Sequence, residues 1–240
     1  MEEQLLSLQA SLEGELYWDH AMRVIYATDA SAYRELPLAV AIPRTEEDIQ
    51  RLIAFAHRHH TALIPRTAGT SLAGQVVGAG IIVDVSLNFT EILELNVEQQ
   101  WVRVQPGVIR DALNRFLAPH GLYFGPETST ANRAMIGGMV GNNSCGSNSL
   151  VYGSTREHTL SVTGFLSDGS KVVFEDLSFD DFIAKGELDN FEGSLYRHLR
   201  TLLSDYRRQE SIRQAYPKPT ILRRNTGYAI DILLESDPFT

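Results

Sequence analysis

The residues most able to do chemistry in this 240-residue chain are small ones, in the run Leu63 to Gln75, LIPRTAGTSLAGQ. A short apolar stretch, Leu63-Ile64-Pro65, stops abruptly, and Arg66, Thr67, Ala68, Gly69, Thr70, Ser71, Gly74 and Gln75 follow. Small residues at this density let the backbone turn sharply and let a ligand approach it closely. Successive N–H groups in such a loop form an anion-binding concavity. Arg66 adds a fixed positive charge and a planar fork of donors, and the hydroxyls add further donors. The chemistry that fits is cradling of a pyrophosphate; the plainer alternative is a Gly-rich turn between two strands. Arg66 serves the anion or pairs with a carboxylate.

A second stretch, residues 125–153, reads GPETSTANRAMIGGMVGNNSCGSNSLVYG. It holds six glycines, at 125, 137, 138, 141, 146 and 153, and no charged residue after Arg133. A loop this long in a compact domain is functional or disordered as a rule. Met135, Ile136, Met139, Val140, Leu150, Val151 and Tyr152 give it apolar anchors, which argues against disorder. Two such loops about sixty residues apart suggest a long, polar ligand gripped by backbone.

In their order along the chain, PRTAGTSLAGQ, VQPGV at 104–108, HGLYFGPETST at 120–130 and IGGMVGNNSCGSNSLVYGST at 136–155 resemble one known family. It is the FAD-binding domain of the vanillyl-alcohol oxidase/para-cresol methylhydroxylase flavoprotein superfamily. Within it the chain is most similar to FAD-linked 2-hydroxy-acid dehydrogenases of the D-lactate, glycolate and D-2-hydroxyglutarate type. The segment YATDASAYRELPLAVAIP at 26–43 and the NNSCG run resemble large bacterial members that also carry an iron–sulfur region further on. The resemblance spans roughly residues 25–235.

The resemblance implies an α+β, two-subdomain FAD-binding fold: a small parallel α/β subdomain, then a larger, mainly antiparallel sheet flanked by helices. Residues 1–37 would be a helical lead-in and 38–240 the FAD domain, with subdomains of about 38–105 and 106–240. It implies that Thr67, Ala68, Gly69, Thr70 and Ser71, with Gly137, Gly138 and Asn142, hold the pyrophosphate, and that Gly74 and Gln75 complete the loop. Pro126, Glu127, Thr128 and Ser129 would lie near the flavin end. Gly141, Asn143, Gly146, Tyr152 and Gly153 would close over the ribityl and diphosphate, Ile136 would be a further cofactor-binding residue, and the Val162 backbone would meet the adenine edge; the plainer reading of Val162 is a core valine. Some relatives bond a histidine of the first loop to the flavin; Thr70-Ser71 offers none, which favours non-covalent FAD. Such enzymes pass a hydride from the α-carbon of a 2-hydroxy acid to flavin N5 while a base takes the hydroxyl proton. The base and carboxylate ligands come largely from a second domain, so no catalytic residue is assigned. Arg224 and Tyr228 could reach the edge of the active site, but a surface arginine and a core tyrosine are the plainer readings. The C-terminal run RRNTGYAIDILLESDPFT ends before the rest of the family's FAD domain, so the chain reads as the N-terminal piece of a longer protein, inactive alone. A nucleotide-binding or electron-transfer module without chemistry, and another flavin reductase of the superfamily, are the alternatives.

Composition bounds these readings. Net charge is −9 with 43 % apolar residues, which argues against a nucleic-acid-binding surface. No apolar run approaches the roughly 20 residues of a membrane span, and MEEQLLSLQASLEGEL lacks the basic start of a secretory signal, so a cytoplasmic location is expected. The single cysteine, Cys145, excludes an internal disulfide and a Cys-rich cluster. His57, His59 and His60 suit the end of a helix electrostatically, and no metal site is expected there.

Periodicity predicts helices over 2–13, 19–27, 45–60, 108–118, 178–185 and 193–209. Strands are expected at 38–42, 63–64 and 81–85, with hairpins at 92–105 and 160–174, the second turning on Asp168-Gly169. The first glycine loop therefore joins two strands. That separates it from the dinucleotide fingerprint opening a helix, and it lacks the Gly-Lys-Ser/Thr of a P-loop.

Overall fold

The computed structural model describes residues 1–218, 220–221 and 227–234; Arg224 lies outside them. The chain forms two compact units, Met1–His158 and Thr159–Thr240.

The first unit begins with α1 (Glu2–Gln9), β1 (Glu15–Tyr17) and α2 (His20–Ile25). It continues with β2 (Ala39–Ile42), α3 (Glu46–His59), β3 (Leu63–Arg66) and β4 (Ile81–Asp84). All four residues of β2 and all four of β4 are buried, as expected for strands covered on both faces. The strand order is β1-β2-β4-β3: β4 runs parallel to both neighbours, and β1 closes the edge antiparallel to β2. The expected strand–helix–strand is therefore present with a later strand inserted in its middle. Parallel neighbours need a long connection, and residues 67–80, which hold the first glycine loop, supply it.

Helix α3 starts where Thr45 Oγ1 accepts from Asp48 N, with Glu46, Glu47 and Asp48 in the first turn, and ends at His60 in the left-handed region (φ 51°). Its Leu52 and Phe55 join Leu5, Leu8, Leu16, Ala39, Ala41, Ile81 and Val83 in one core. Asp48, fully buried, accepts from the backbone N of Glu13, Gly14 and Arg44, each at 2.9 Å, and so fastens the turn before β1 to the start of α3. Helix α1 stops at Gln9, short of Gly14, because Ser11 donates backbone and hydroxyl hydrogens back to Leu8 O.

Next come β5 (Ile92–Asn96), β6 (Trp101–Val104) and α4 (Arg110–Leu117). Val108, Leu113 and Leu117 make a second core with Val104, Leu122, Phe124 and Ile136 against it. The second glycine stretch contains two short helices, α5 (Ile136–Gly141) and α6 (Ser149–Tyr152), which its composition concealed.

The second unit holds the hairpin β7 (Ser161–Phe165) and β8 (Lys171–Glu175), then α7 (Phe179–Glu187), α8 (Phe191–Leu203), α9 (Tyr206–Ala215) and α10 (Ile230–Leu233). Among the described residues, antiparallel pairing apart from β1 takes the form of two hairpins, β5–β6 and β7–β8, and two isolated bridges, Thr28–Arg34 and Ile109–Met135. The single helix expected over 193–209 is two. Asp205 accepts from the backbone N of Arg207 and Arg208, restarting the helix, while Ser204 closes the preceding turn onto Arg200 O. Aspartate side chains compete in this way with helix continuation.

Candidate cofactor site

Both glycine loops lie in the first unit. In the first, Gly69 (φ 64°) and Gly74 (φ 70°) adopt backbone that side-chain-bearing residues rarely take. No backbone N–H from Thr67 to Leu72 donates to an acceptor among the described residues. Residues 66–71 are all half-buried, so these N–H groups lie together at a partly sheltered surface. Ser71 Oγ donates to Gln75 Oε1 and accepts from Ala73 N, which fixes the far side of the turn.

The second loop is held by α4. Arg110, 5 % exposed, donates from Nε to Pro126 O (3.1 Å), from Nη2 to the Tyr123 hydroxyl and from Nη1 to Asp111, with its guanidinium carbon 5.2 Å from the Tyr123 ring centre. Asn114 grips the Phe124 backbone twice, accepting from its N (2.8 Å) and donating to its O (3.2 Å). These two residues aim Gly125 and Pro126. Sequence reasoning missed them; their signal was two polar side chains on the α4 face that packs inward.

Beyond Pro126, Glu127 accepts from Asn148 Nδ2 at 2.7 Å and from Ser147 Oγ at 3.4 Å. A Cβ on Gly146 would come 2.3 Å from Glu127 O, so the two strands of the loop touch through backbone. Thr128 and Thr130 share a hydroxyl contact at 3.3 Å, and Ser129 is exposed between them. Ile136 is anchored, its N donating to Val108 O at 2.9 Å and its side chain packed on the second core. A Cβ on Gly137 would lie 2.5 Å from Pro106 Cβ, and one on Gly125 2.8 Å from the Tyr152 ring. Asn143 (φ 46°) accepts from Ser154 Oγ and Arg156 N, and buried Thr155 donates twice to Ser144 O. Ser154 also donates to Glu157. Burial pushes the Glu157 carboxyl up, but those bonds outweigh it and hold the carboxyl below its ordinary range. Gly153 (φ 72°) makes the turn between them.

Two contacts bring the loops together. Gln75 Nε2 donates to Asn142 Oδ1 at 2.9 Å. A Cβ on Gly138 would lie 2.6 Å from Thr67 Oγ1. The face they share is open, with Gly138, Gly141 and Asn142 exposed.

Arg66 makes no ion pair among the described residues. It donates to Thr28 O at 2.8 Å, and its guanidinium carbon lies 5.1 Å from the Tyr26 ring centre. Val162 is on β7 of the second unit, paired with Phe174, and is 39 % exposed, so it is not a core valine. Tyr228, in the same unit, is 94 % exposed; the core reading is corrected there too, its carbonyl accepting from the Tyr216 hydroxyl. His59 stacks 4.4 Å from Phe55, and among the described residues no group of three or more His, Cys, Asp or Glu side chains could hold a metal ion.

Residues 37–175, more than half of the chain, match the FAD binding domain family. The chain belongs to that family. It is 38 % identical over 228 residues to a D-2-hydroxyglutarate dehydrogenase of Pseudomonas putida, covering 91 % of this chain and 22 % of that protein. It is 36 % identical over 145 residues to the glycolate oxidase subunit GlcD of Escherichia coli K12, covering 60 % of this chain and 29 % of that one. The chain thus spans about a fifth of the length of the dehydrogenase relative. Among solved structures, an alkyldihydroxyacetonephosphate synthase superposes with a TM-score of 0.64 at 18 % identity, over 81 % of this chain and 37 % of that one. p-Cresol methylhydroxylase superposes with a TM-score of 0.61 at 14 % identity, over 72 % and 35 %. These two likenesses show the fold.

FAD is the cofactor of this family, and the geometry suits it. The unpaired N–H groups of residues 67–72 match an uncharged cradle for a diphosphate. The glycines that would clash if given a Cβ are those where the two loops and their supports approach most closely. No helix among the described residues is long and apolar enough to cross a membrane.

Proposed function

We propose that this chain is the FAD-holding part of an oxidoreductase that oxidises a 2-hydroxy acid. The observation that carries the reading is the meeting of the two glycine loops through Gln75–Asn142 and Thr67–Gly138, with a row of unpaired N–H groups beside it. The names of the relatives, a D-2-hydroxyglutarate dehydrogenase and a glycolate oxidase subunit, support the substrate class.

When bound, FAD supplies a two-electron acceptor able to take hydride from the α-carbon of the substrate. The chain's own residues bind and orient. Thr67–Ser71, Gly137, Gly138 and Asn142 take the diphosphate, with Gly74 and Gln75 closing the loop. Pro126, Glu127, Thr128 and Ser129, aimed by Arg110 and Asn114, lie toward the ring. Gly141, Asn143, Gly146, Tyr152 and Gly153 enclose the linker. We assign the proton-accepting base and the substrate-carboxylate ligands to chain beyond these residues, and the location to the cytoplasm.

The test is a visible absorption spectrum of the purified chain followed by titration with FAD. A saturable shift of the flavin band with a one-to-one endpoint is expected, without bleaching by glycolate, D-lactate or D-2-hydroxyglutarate. Absence of binding would sink the flavin reading, and bleaching by a hydroxy acid would overturn the assignment of the base elsewhere.

A further inference from the structure

Residues 26–34 lie ahead of the matched stretch 37–175, yet they touch the first glycine loop at four points. The Tyr26 ring lies under the Arg66 guanidinium, and Thr28 O accepts from Arg66 Nη1 at 2.8 Å. Ala30 N donates to Gly69 O at 3.1 Å. The Tyr33 ring covers Gly74, where a Cβ would come within 2.7 Å of it. Tyr26 is itself fixed, its hydroxyl donating to Asp84 Oδ2 at 2.6 Å; Asp84 ends β4 and is 5 % exposed. Burial, and then that bond, raise the Tyr26 hydroxyl well above its ordinary range, so it stays a donor.

Arg66 completes the arrangement. A Cβ on Gly69 would meet its Nη2, Cζ and Nε at 2.7, 3.0 and 3.1 Å, near-equal distances that place the glycine over the plane of the guanidinium. The loop therefore rests on Arg66, and Arg66 rests on Tyr26 and Thr28.

We propose that residues 26–34 are the seat of the first glycine loop, and that Arg66 is a positioning residue of that seat rather than the counter-charge of the bound anion. The cradle then meets the diphosphate without a counter-charge from Arg66. This rests on the flavin reading above, and the experiment separates the two.

The test compares the chain with Arg66→Lys, Arg66→Met and Tyr26→Leu, reading FAD affinity by flavin fluorescence and the exchange rate of the Ala30 amide by NMR without FAD. Lysine keeps the charge but loses the planar, stacking fork. The seat predicts that Arg66→Lys and Arg66→Met weaken FAD about equally, by roughly tenfold, that Tyr26→Leu does so with the charge intact, and that Ala30 exchange quickens about tenfold in all three. Wild-type affinity in Arg66→Lys with loss only in Arg66→Met would identify a counter-charge and overturn the proposal. Weakened binding with unchanged Ala30 exchange would overturn it as well, since Arg66 would then act on the cofactor directly. Arg66→Lys leaves the Tyr26–Asp84 bond untouched, so a Tyr26→Leu variant that fails to fold leaves the decision to the arginine pair. If the wild type itself binds no FAD, the flavin reading fails, and the Ala30 exchange still decides whether the seat exists.

Discussion

At Gly138 the distance from an added methyl to Thr67 Oγ1 is 2.6 Å, and the next contact, to Thr67 Cβ, is at 3.9 Å. The obstacle is therefore one hydroxyl. Because Gly138 is otherwise open to solvent, Gly138→Ala should cost about 1 kcal/mol of stability, the low end of overpacking costs. Removing the obstacle in Thr67→Ala/Gly138→Ala should recover most of that loss, read from thermal or urea midpoints. Gly146 differs, because its Cβ would meet the Glu127 carbonyl at 2.3 Å and backbone cannot be trimmed. Gly146→Ala should displace the Glu127–Asn148 contact and weaken FAD binding, with no side-chain substitution at Glu127 restoring it. Isothermal titration of the two variants against their parent checks this.

Among the elements, the start of α3 carries the clearest electrostatic statement. Burial pushes the Asp48 carboxyl up, but the N–H groups of Arg44, Glu13 and Gly14 outweigh it and hold the carboxyl below the ordinary carboxylate range. A carboxyl depressed on folding contributes stability that is present above its unfolded value, about 3.9, and is lost as pH falls through the folded value. Asp48→Asn should therefore cost about 2 kcal/mol near neutral pH, since it trades an oxygen acceptor for an amide facing donors. The gap from wild type should narrow on acidification below about pH 4. Urea midpoints measured across that range settle both parts; a gap independent of pH would contradict the account. In the second unit, Asp205→Ala should cost about 1 kcal/mol by removing the cap that starts α9.

For the whole molecule, a cofactor that binds only the folded chain stabilises it by mass action. At a free FAD concentration of one hundred times Kd this is about 2.7 kcal/mol. Both glycine loops belong to the unit Met1–His158, so core amides there, such as Ile82 and Leu113, should exchange about a hundredfold more slowly with FAD. Hydrogen exchange reads this directly. Added protection at β7 would support the expectation for Val162, and its absence would remove it.

Much of this was legible from local chemistry. Helix α3 announced itself because Thr45, three acidic residues and a 3.6-residue apolar stripe act within a few turns. The glycine loops announced themselves because close approach of backbone demands small residues wherever it occurs, as at Gly69, Gly137 and Gly146. What the order of residues did not disclose depends on groups far apart in the chain. The insertion of β4 between β2 and β3 is a pairing of strands that apolar runs alone do not specify. The helices α5 and α6 form in stretches of Gly, Asn and Ser because tertiary bonds hold them, among them Ile136 N to Val108 O. Arg66 read either as a cation serving the anion or as one half of an ion pair; only the fold brings Tyr26 and Thr28, about 40 residues earlier in the chain, against it, and Asp84 against Tyr26. The sequence by itself determined which backbone could come close to a ligand, because that is a property of side-chain size. Tertiary structure decided which side chains are occupied holding that backbone, because such contacts close only when distant elements pack.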